Sequence, residues 1–287
     1  MSNREAIMIY KNTGEVAEDG VFITNKQLER NKNYRLKQEE KDIRSIAIKN
    51  SNKGMGSFIW VLFNYTEELF PELQLSDITK LFIISTYISY DGYLKFDNGK
   101  YINKDNLNSI LELKENTYKL FYKRMIECEI MTEKEEKRIY LNSSYFIKGD
   151  LDQLIINNND VTRMYVNTIR LLYKQFEVKS HKQLGYLFKL VPYINIDYNI
   201  LCINPMETEL KKIKKINLGD LCELLHYNKE NSNRLYEILC NINTGTNKHI
   251  ISFVSNNKDK REYKMFINPN VFYAGSKWNK VEILGEF

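Results

Sequence analysis

Residues that build reactive centres are scarce in this chain. The three histidines, His181, His226 and His249, stand too far apart to suggest a metal pair. No H-x-H or H-E-x-x-H occurs, which leaves a metal-dependent nickase or protease without ligands. There is no G-x-x-x-x-G-K-[ST] phosphate loop and no G-x-G-x-x-G turn. The four cysteines, Cys128, Cys202, Cys222 and Cys240, form no C-x-x-C and sit in apolar runs, where free cysteine behaves as a small hydrophobe. That usage fits a reducing cytoplasm. Met1 to Tyr10 has no apolar signal core, and no stretch approaches the roughly 18 apolar residues a spanning helix needs. Acidic pairs such as Glu67-Glu68 and Glu135-Glu136 read as solvated charge. The expectation is therefore a soluble, cytoplasmic, non-enzymatic protein with no catalytic residues, no metal, no cofactor and no membrane partner.

The 287 residues suggest about two domains, and 43% hydrophobic content is ample for packed cores. The formal net charge of +5 permits nucleic acid as a partner without demanding it. Residues 26–53 alone hold nine basic against four acidic side chains, whereas 71–150 hold twelve against thirteen and 151–287 nineteen against fourteen. The 33 Asn, 20 Tyr and 32 Lys against 10 Arg read as an AT-rich coding sequence, so that richness alone says nothing about base contacts.

An internal repeat organises the rest. Phe70, Leu81, Phe82, Tyr87, Ile88 and Asp91 recur at one constant spacing as Phe176, Leu187, Phe188, Tyr193, Ile194 and Asp197. Ile102, Asn103, Leu107 and Leu111 recur as Ile216, Asn217, Leu221 and Leu225. Phe146 and Gly149 recur as Phe272 and Gly275. Spacing grows only between blocks, where loops lengthen.

Residues 6–24 read as a hairpin and 26–53 as a basic arm, or a solvated helix plus loop. The first copy then reads as a helix from Phe58 to Phe70, ended by Pro71, and a second from Ser76, as N-cap, to Tyr90. Next come an Asn103-capped helix from Lys104 to Leu111, the turn Glu112-Leu113-Lys114, a helix from Glu115 to Glu127, and a hairpin over 130–142. The second copy places helices near 161–177 and 181–193, a helix from the Asn217 cap to Leu225, the turn His226-Tyr227-Asn228, a helix from Lys229 to Ile242, and a hairpin over 249–267. The span Gly149 to Asp160 is the natural boundary. Helix, helix, tight turn, helix, hairpin is the order of a winged helix-turn-helix. The expected fold class is α+β, mostly α: two tandem winged helix-turn-helix domains related by an internal repeat, with a short N-terminal β-hairpin and basic arm. The segments are 1–53 (hairpin and arm), 54–150 (first winged domain) and 151–287 (second).

In the first copy, Thr117, Leu120, Phe121 and Met125 are expected to face inward. Asn116, Tyr118, Lys119, Tyr122 and Lys123 then face out, towards base edges and phosphates. The second copy offers Asn231, Asn233 and Arg234 beside the acids Glu230 and Glu237. The hairpin tips add Lys134, Lys137 and Arg138, offset by three glutamates, and the more basic Lys258, Lys260 and Arg261. Lys211, Lys212, Lys214 and Lys215 precede the second unit as a backbone clamp or a solvated linker. Phe58, Trp60, Phe63, Tyr65 and Phe70 read as core or a dimer interface, and Trp278 as packing back on its domain.

On Asn103–Glu127 with the hairpin 130–142, and Asn217–Ile242 with the hairpin 249–267, the chain resembles winged-helix replication initiators and regulators of Firmicute plasmids and phages, many of which carry two such domains. The likeness lies in motif order and covers less than half of the chain; the N-terminal hairpin and arm have no counterpart in it. It implies sequence-specific binding of double-stranded DNA at repeated origin sites and recruitment of host replication proteins, without nicking. Two recognition helices in one chain suit successive major grooves, so one copy of the chain would cover a bipartite site. A homodimer, a transcriptional repressor of the same element and a protein-binding scaffold remain open alternatives.

Overall fold

The structure, a computed structural model, describes residues 26–27, 29–36, 56–62, 73–151, 161–243, 248–255, 263–275 and 277–285. The chain divides into two compact units, Met1–Asn50 and Ser51–Phe287. Of the first, residues 26–27 and 29–36 are helical and exposed. The expected hairpin over 6–24 and the rest of the arm lie outside the described residues.

The second unit is α+β, mostly helical with small antiparallel sheets. Its elements are β1 (Phe58–Leu62), α1 (Leu75–Ser85), α2 (Lys104–Leu111), α3 (Glu115–Glu127), β2 (Met131–Glu133), β3 (Ile139–Leu141) and β4 (Phe146–Ile147). There follow β5 (Val161–Tyr165), α4 (Val166–Gln175), α5 (His181–Lys189), α6 (Leu218–Leu224), α7 (Ser232–Cys240), β6 (Ile251–Val254), β7 (Lys264–Ile267) and β8 (Phe272–Tyr273). Two helix expectations fail at their starts, the second giving way to a helix only from Val166, while 63–70 of the first lie outside the described residues. Phe58–Leu62 and Val161–Tyr165 are strands, because runs in which four and three of five residues are aromatic or β-branched fit a pleat buried on both faces better than a helix. The helix expected from Ser76 begins at Leu75 and ends at Ser85; Gln74 precedes it, and no side chain caps it.

These strands unite the two sequence copies. The four-stranded sheet runs β4-β1-β5-β8, so each copy contributes its first and last strand and the first strands pair at the centre. Trp60 lies opposite Arg163 in that central pair. Each also reaches its own copy's terminal glycine: Trp60 Nε1 donates to the Gly149 carbonyl at 2.9 Å, and Arg163 donates to the Gly275 carbonyl. The guanidinium is wholly buried. Its cost is met by these carbonyls, including Tyr273 O at 3.1 Å, and by the Tyr273 ring 4.6 Å away.

Beneath the sheet, α1 packs on α5. Phe82 and Phe188, equivalent in the repeat, stack with ring centres 4.3 Å apart and planes 7° from parallel. Phe146 and Phe272, also equivalent, meet them edge-on at 5.5 and 6.2 Å. One continuous core thus runs from Leu107 and Phe121 in the first copy to Leu221 and Leu235 in the second. The helices approach closely at Gly185, where an added Cβ would lie 2.3 Å from the Leu75 carbonyl oxygen. At the matching place in the first copy, Thr79 donates its hydroxyl to the His181 carbonyl at 2.7 Å. Cys202 and Cys222 are buried and unreactive; desolvation pushes the Cys202 thiol up to about 11. No helix among the described residues is long and apolar enough to cross a membrane.

Two outcomes follow from the α1–α5 contact. Gly185→Ala gains helix propensity worth about 1 kcal/mol, yet it forces backbone apart, so urea unfolding should show a net loss of about 1–3 kcal/mol; a gain would refute the close approach. His181 is 2% exposed, and its Nε2–H donates to the Phe176 carbonyl at 2.9 Å. Burial pushes its pKa below the ordinary value. The unfolded chain, titrating near 6.5, therefore binds more protons just below that pH. Stability should fall as pH drops from about 6.5 towards the folded pKa, and His181→Gln should flatten that slope. An unchanged slope in pH-dependent thermal unfolding would assign it to other groups.

Candidate nucleic-acid interface

In both copies a short helix is started by asparagine. Asn103 Oδ1 accepts from Asn106 N at 2.9 Å, and Asn106 Oδ1 accepts from Asn103 N at 3.3 Å. Asn217 Oδ1 accepts from Asp220 N and Asp220 Oδ2 accepts from Asn217 N, both at 3.0 Å. Each reciprocal pair satisfies amide groups that the helix start leaves open. The helices then stop at matched positions, Glu112 and His226, both left-handed at φ 51°. This turn redirects the chain into α3 in one copy, and into a 3-10 turn, Lys229–Asn231, followed by α7 in the other.

The buried seam of α3 is Tyr118, Phe121, Tyr122 and Met125. Tyr118 and Tyr122, expected to face outward, are only 4% and 7% exposed. Tyr118 donates to the Lys104 carbonyl at 2.6 Å, and Tyr122 to Glu133 Oε2 at 2.9 Å, tying the helix to α2 and to the hairpin. Burial raises both phenol pKa values, so the two hydroxyls stay protonated donors. Thr117 and Leu120, expected inward, are exposed, Leu120 at 62%. The seam is rotated because tyrosine carries both a large apolar ring and a hydroxyl that finds a partner; both rings displace the smaller Thr117 from the core.

The outward face of α3 is therefore Asn116, Thr117, Lys119, Leu120 and Lys123. Lys119 Nζ pairs with Glu115 at 2.5 Å and Lys123 Nζ with Glu127 at 3.5 Å. Exposed pairs one turn apart are weak and screened by salt, so both lysines are available to a phosphate. At the hairpin tip, Lys134 and Lys137 are exposed, with no ion pair among the described residues. Arg138 is engaged: it pairs with Glu136 and lies 4.2 Å above the Tyr101 ring.

In the second copy, Glu230, Asn231, Asn233, Arg234 and Glu237 are all exposed, opposite the buried Leu235 and Leu239. Lys258, Lys260 and Arg261 lie outside the described residues. The structure thus brings Asn116, Lys119 and Lys123 together on one helix face, with Asn231, Asn233 and Arg234 on another.

The sequence reading missed what holds α3 from below. Asp77 on α1 is wholly buried and takes Lys80 Nζ at 3.0 Å, while Arg124 Nη2 from α3 lies 3.2 Å from its other oxygen, at an angle too bent for a hydrogen bond. Lys80 is itself 4% exposed and sits 5.2 Å from the Phe121 ring centre. Nothing local marks this triad, since its third member is 47 positions from the first. No cluster of three or more His, Cys, Asp or Glu suited to a metal ion occurs among the described residues.

No protein-family model matches the chain, and no curated protein or solved structure matches it at a significant level.

Removing the carboxylate tests the triad. Asp77→Asn leaves the buried Lys80 ammonium without its counter-ion, a change that typically costs about 3–5 kcal/mol. Urea unfolding should register a loss of that size. A loss below about 1 kcal/mol would mean that water already reaches the site.

Proposed function

We propose that the chain is a tandem winged-helix protein that binds double-stranded DNA sequence-specifically, as the replication initiator of a phage or plasmid. The observation that carries this reading is the repeated unit itself. In each copy an asparagine-capped helix, a left-handed turn, and a second helix with a buried seam and an outward polar face are followed by a β-hairpin. That is the order in which a helix-turn-helix presents its second helix to a major groove and its wing to the backbone. Asn116 suits adenine, Lys119 and Lys123 suit guanine or phosphate, and Thr117 suits a thymine methyl. Arg234, Asn231 and Asn233 supply the same chemistry from the second copy. The lysines at the first hairpin tip add backbone contacts that carry no sequence information.

A repressor of the same element would use an identical surface and differ only in where its target lies. One observation favours a protein partner instead: Leu120 is 62% exposed in the centre of the outward face. Against thymine methyls it has an apolar partner in DNA as well.

The residues separate these readings. On a preferred duplex, Asn116→Ala should cost about 1–3 kcal/mol and relax choice at one base pair. Lys119→Ala should weaken all duplexes alike and lower the slope of log K against log salt by about one. Fluorescence anisotropy measures both. If neither change alters affinity for any duplex while Leu120→Ser abolishes binding to a protein partner, the face is a protein-docking surface.

A further inference from the structure

One of the second copy's longer segments lies wholly within the described residues. Ten residues separate Asp91 from Ile102, but eighteen separate their counterparts Asp197 and Ile216. The short version closes as a tight turn, with Lys95 bridged to Tyr101. The long version is an ordered platform rather than a slack loop. Its backbone bridges Ile200 to Phe266 on β7 and Cys202 to Lys215. Asn195 Nδ2 donates to the Pro205 and Glu207 carbonyls at 3.0 and 2.8 Å. The Asn204 side chain donates to Lys212 O at 3.1 Å and accepts from Lys214 N at 2.8 Å.

A segment held this firmly displays apolar groups to solvent: Ile203 is 62%, Met206 46% and Leu210 52% exposed. Where it meets β7 and the C-terminal 3-10 turns there is a pocket of about 230 Å3. Tyr198, Ile200, Leu210 and Phe266 form its apolar lining, while Lys215, Lys264 and Lys280 supply its cations. Lys280 is committed to Asp197, 2.6 Å away. Lys215 and Lys264 have no counter-ion among the described residues, nor do the neighbouring Lys211 and Lys214. The pocket is thus cationic and apolar at once, and it belongs to the second copy alone.

We propose that this pocket docks an acidic segment of a protein partner. Carboxylates would meet Lys215 and Lys264, and one aliphatic or aromatic side chain would enter the apolar lining. A DNA backbone would satisfy the lysines but leave that lining, with Ile203, Met206 and Leu210, in water. Apolar groups rimmed by charge are the composition of a protein interface, and buried anchors at the centre of such a patch carry its affinity. The inference does not rest on DNA binding: none of these residues lies on α3 or α7, and Lys264 and Phe266 stand on the β7 strand of the second hairpin rather than in its tip.

The test selects a random twelve-residue peptide library against the full chain and, in parallel, against the Lys215→Glu/Lys264→Glu variant, whose fold is checked by circular dichroism. Peptides enriched only on the unaltered chain should combine Asp or Glu with an aromatic or branched apolar residue. A synthesised winner should bind the variant at least about ten-fold more weakly, a difference near 1.4 kcal/mol. Leu210→Ser, which alters no charge, should also weaken it and guards against a misfolded double variant. Enrichment of the same peptides on both proteins, or of peptides without acids, would overturn the proposal. So would a variant that loses affinity for DNA while no peptide distinguishes it, which would make the lysines a phosphate clamp.

Discussion

The stacking of Phe82 on Phe188 is the contact on which the rest of the second unit depends. The two rings are the same residue of the repeat, brought face to face where α1 crosses α5. Phe146 and Phe272 close over them from the two outer strands of the sheet. Neither copy holds a complete core of its own, since the central phenylalanine of each is covered by the other. A packed interior fixes orientation far more firmly than a linker does. The outward faces of α3 and α7 are therefore held at a set spacing by the core between them, which is what a reader of two half-sites requires.

Small asymmetries sit on this repeated frame, and each has a physical cause. Gly185 allows a carbonyl to approach where a Cβ would clash, and Thr79 answers at the matching place with a hydroxyl. Trp60 and Arg163 occupy equivalent positions in the sheet and reach equivalent glycine carbonyls, one with a neutral N–H and the other with a buried cation. From the same α1 helix, Asp77 extends an ionic contact through Arg124 to α3. The face that would meet DNA is thus tied to the centre of the molecule by a buried charge, as well as by its own apolar seam.

Much of this was legible in the sequence where local chemistry decides the outcome. Asn103 and Asn217 announce their helices through capping, and the bounds of α2 and α3 and the strands flanking the first hairpin tip follow from period and turn signals. Phe58–Leu62 and Val161–Tyr165 depart from the expected helices because five residues are too few to carry a period of their own; pairing with a strand about a hundred residues away decides their form. Tyr118 and Tyr122 were misplaced because tyrosine suits a phosphate-facing surface and a hydrogen-bonded core equally well, and only the partners Lys104 and Glu133 settle which. The Asp77 triad left no trace, because charges that are neighbours only in space carry no sequence signature.

The central claim is that the two outward helix faces read double-stranded DNA. Anisotropy titrations of the full chain against short tiles of the DNA flanking its own gene, at two salt concentrations and beside random duplex, test it most directly. The account predicts tight, salt-sensitive binding to a few tiles, with repeated half-sites in those tiles if the role is initiation. Equal, weak binding to every tile would contradict it.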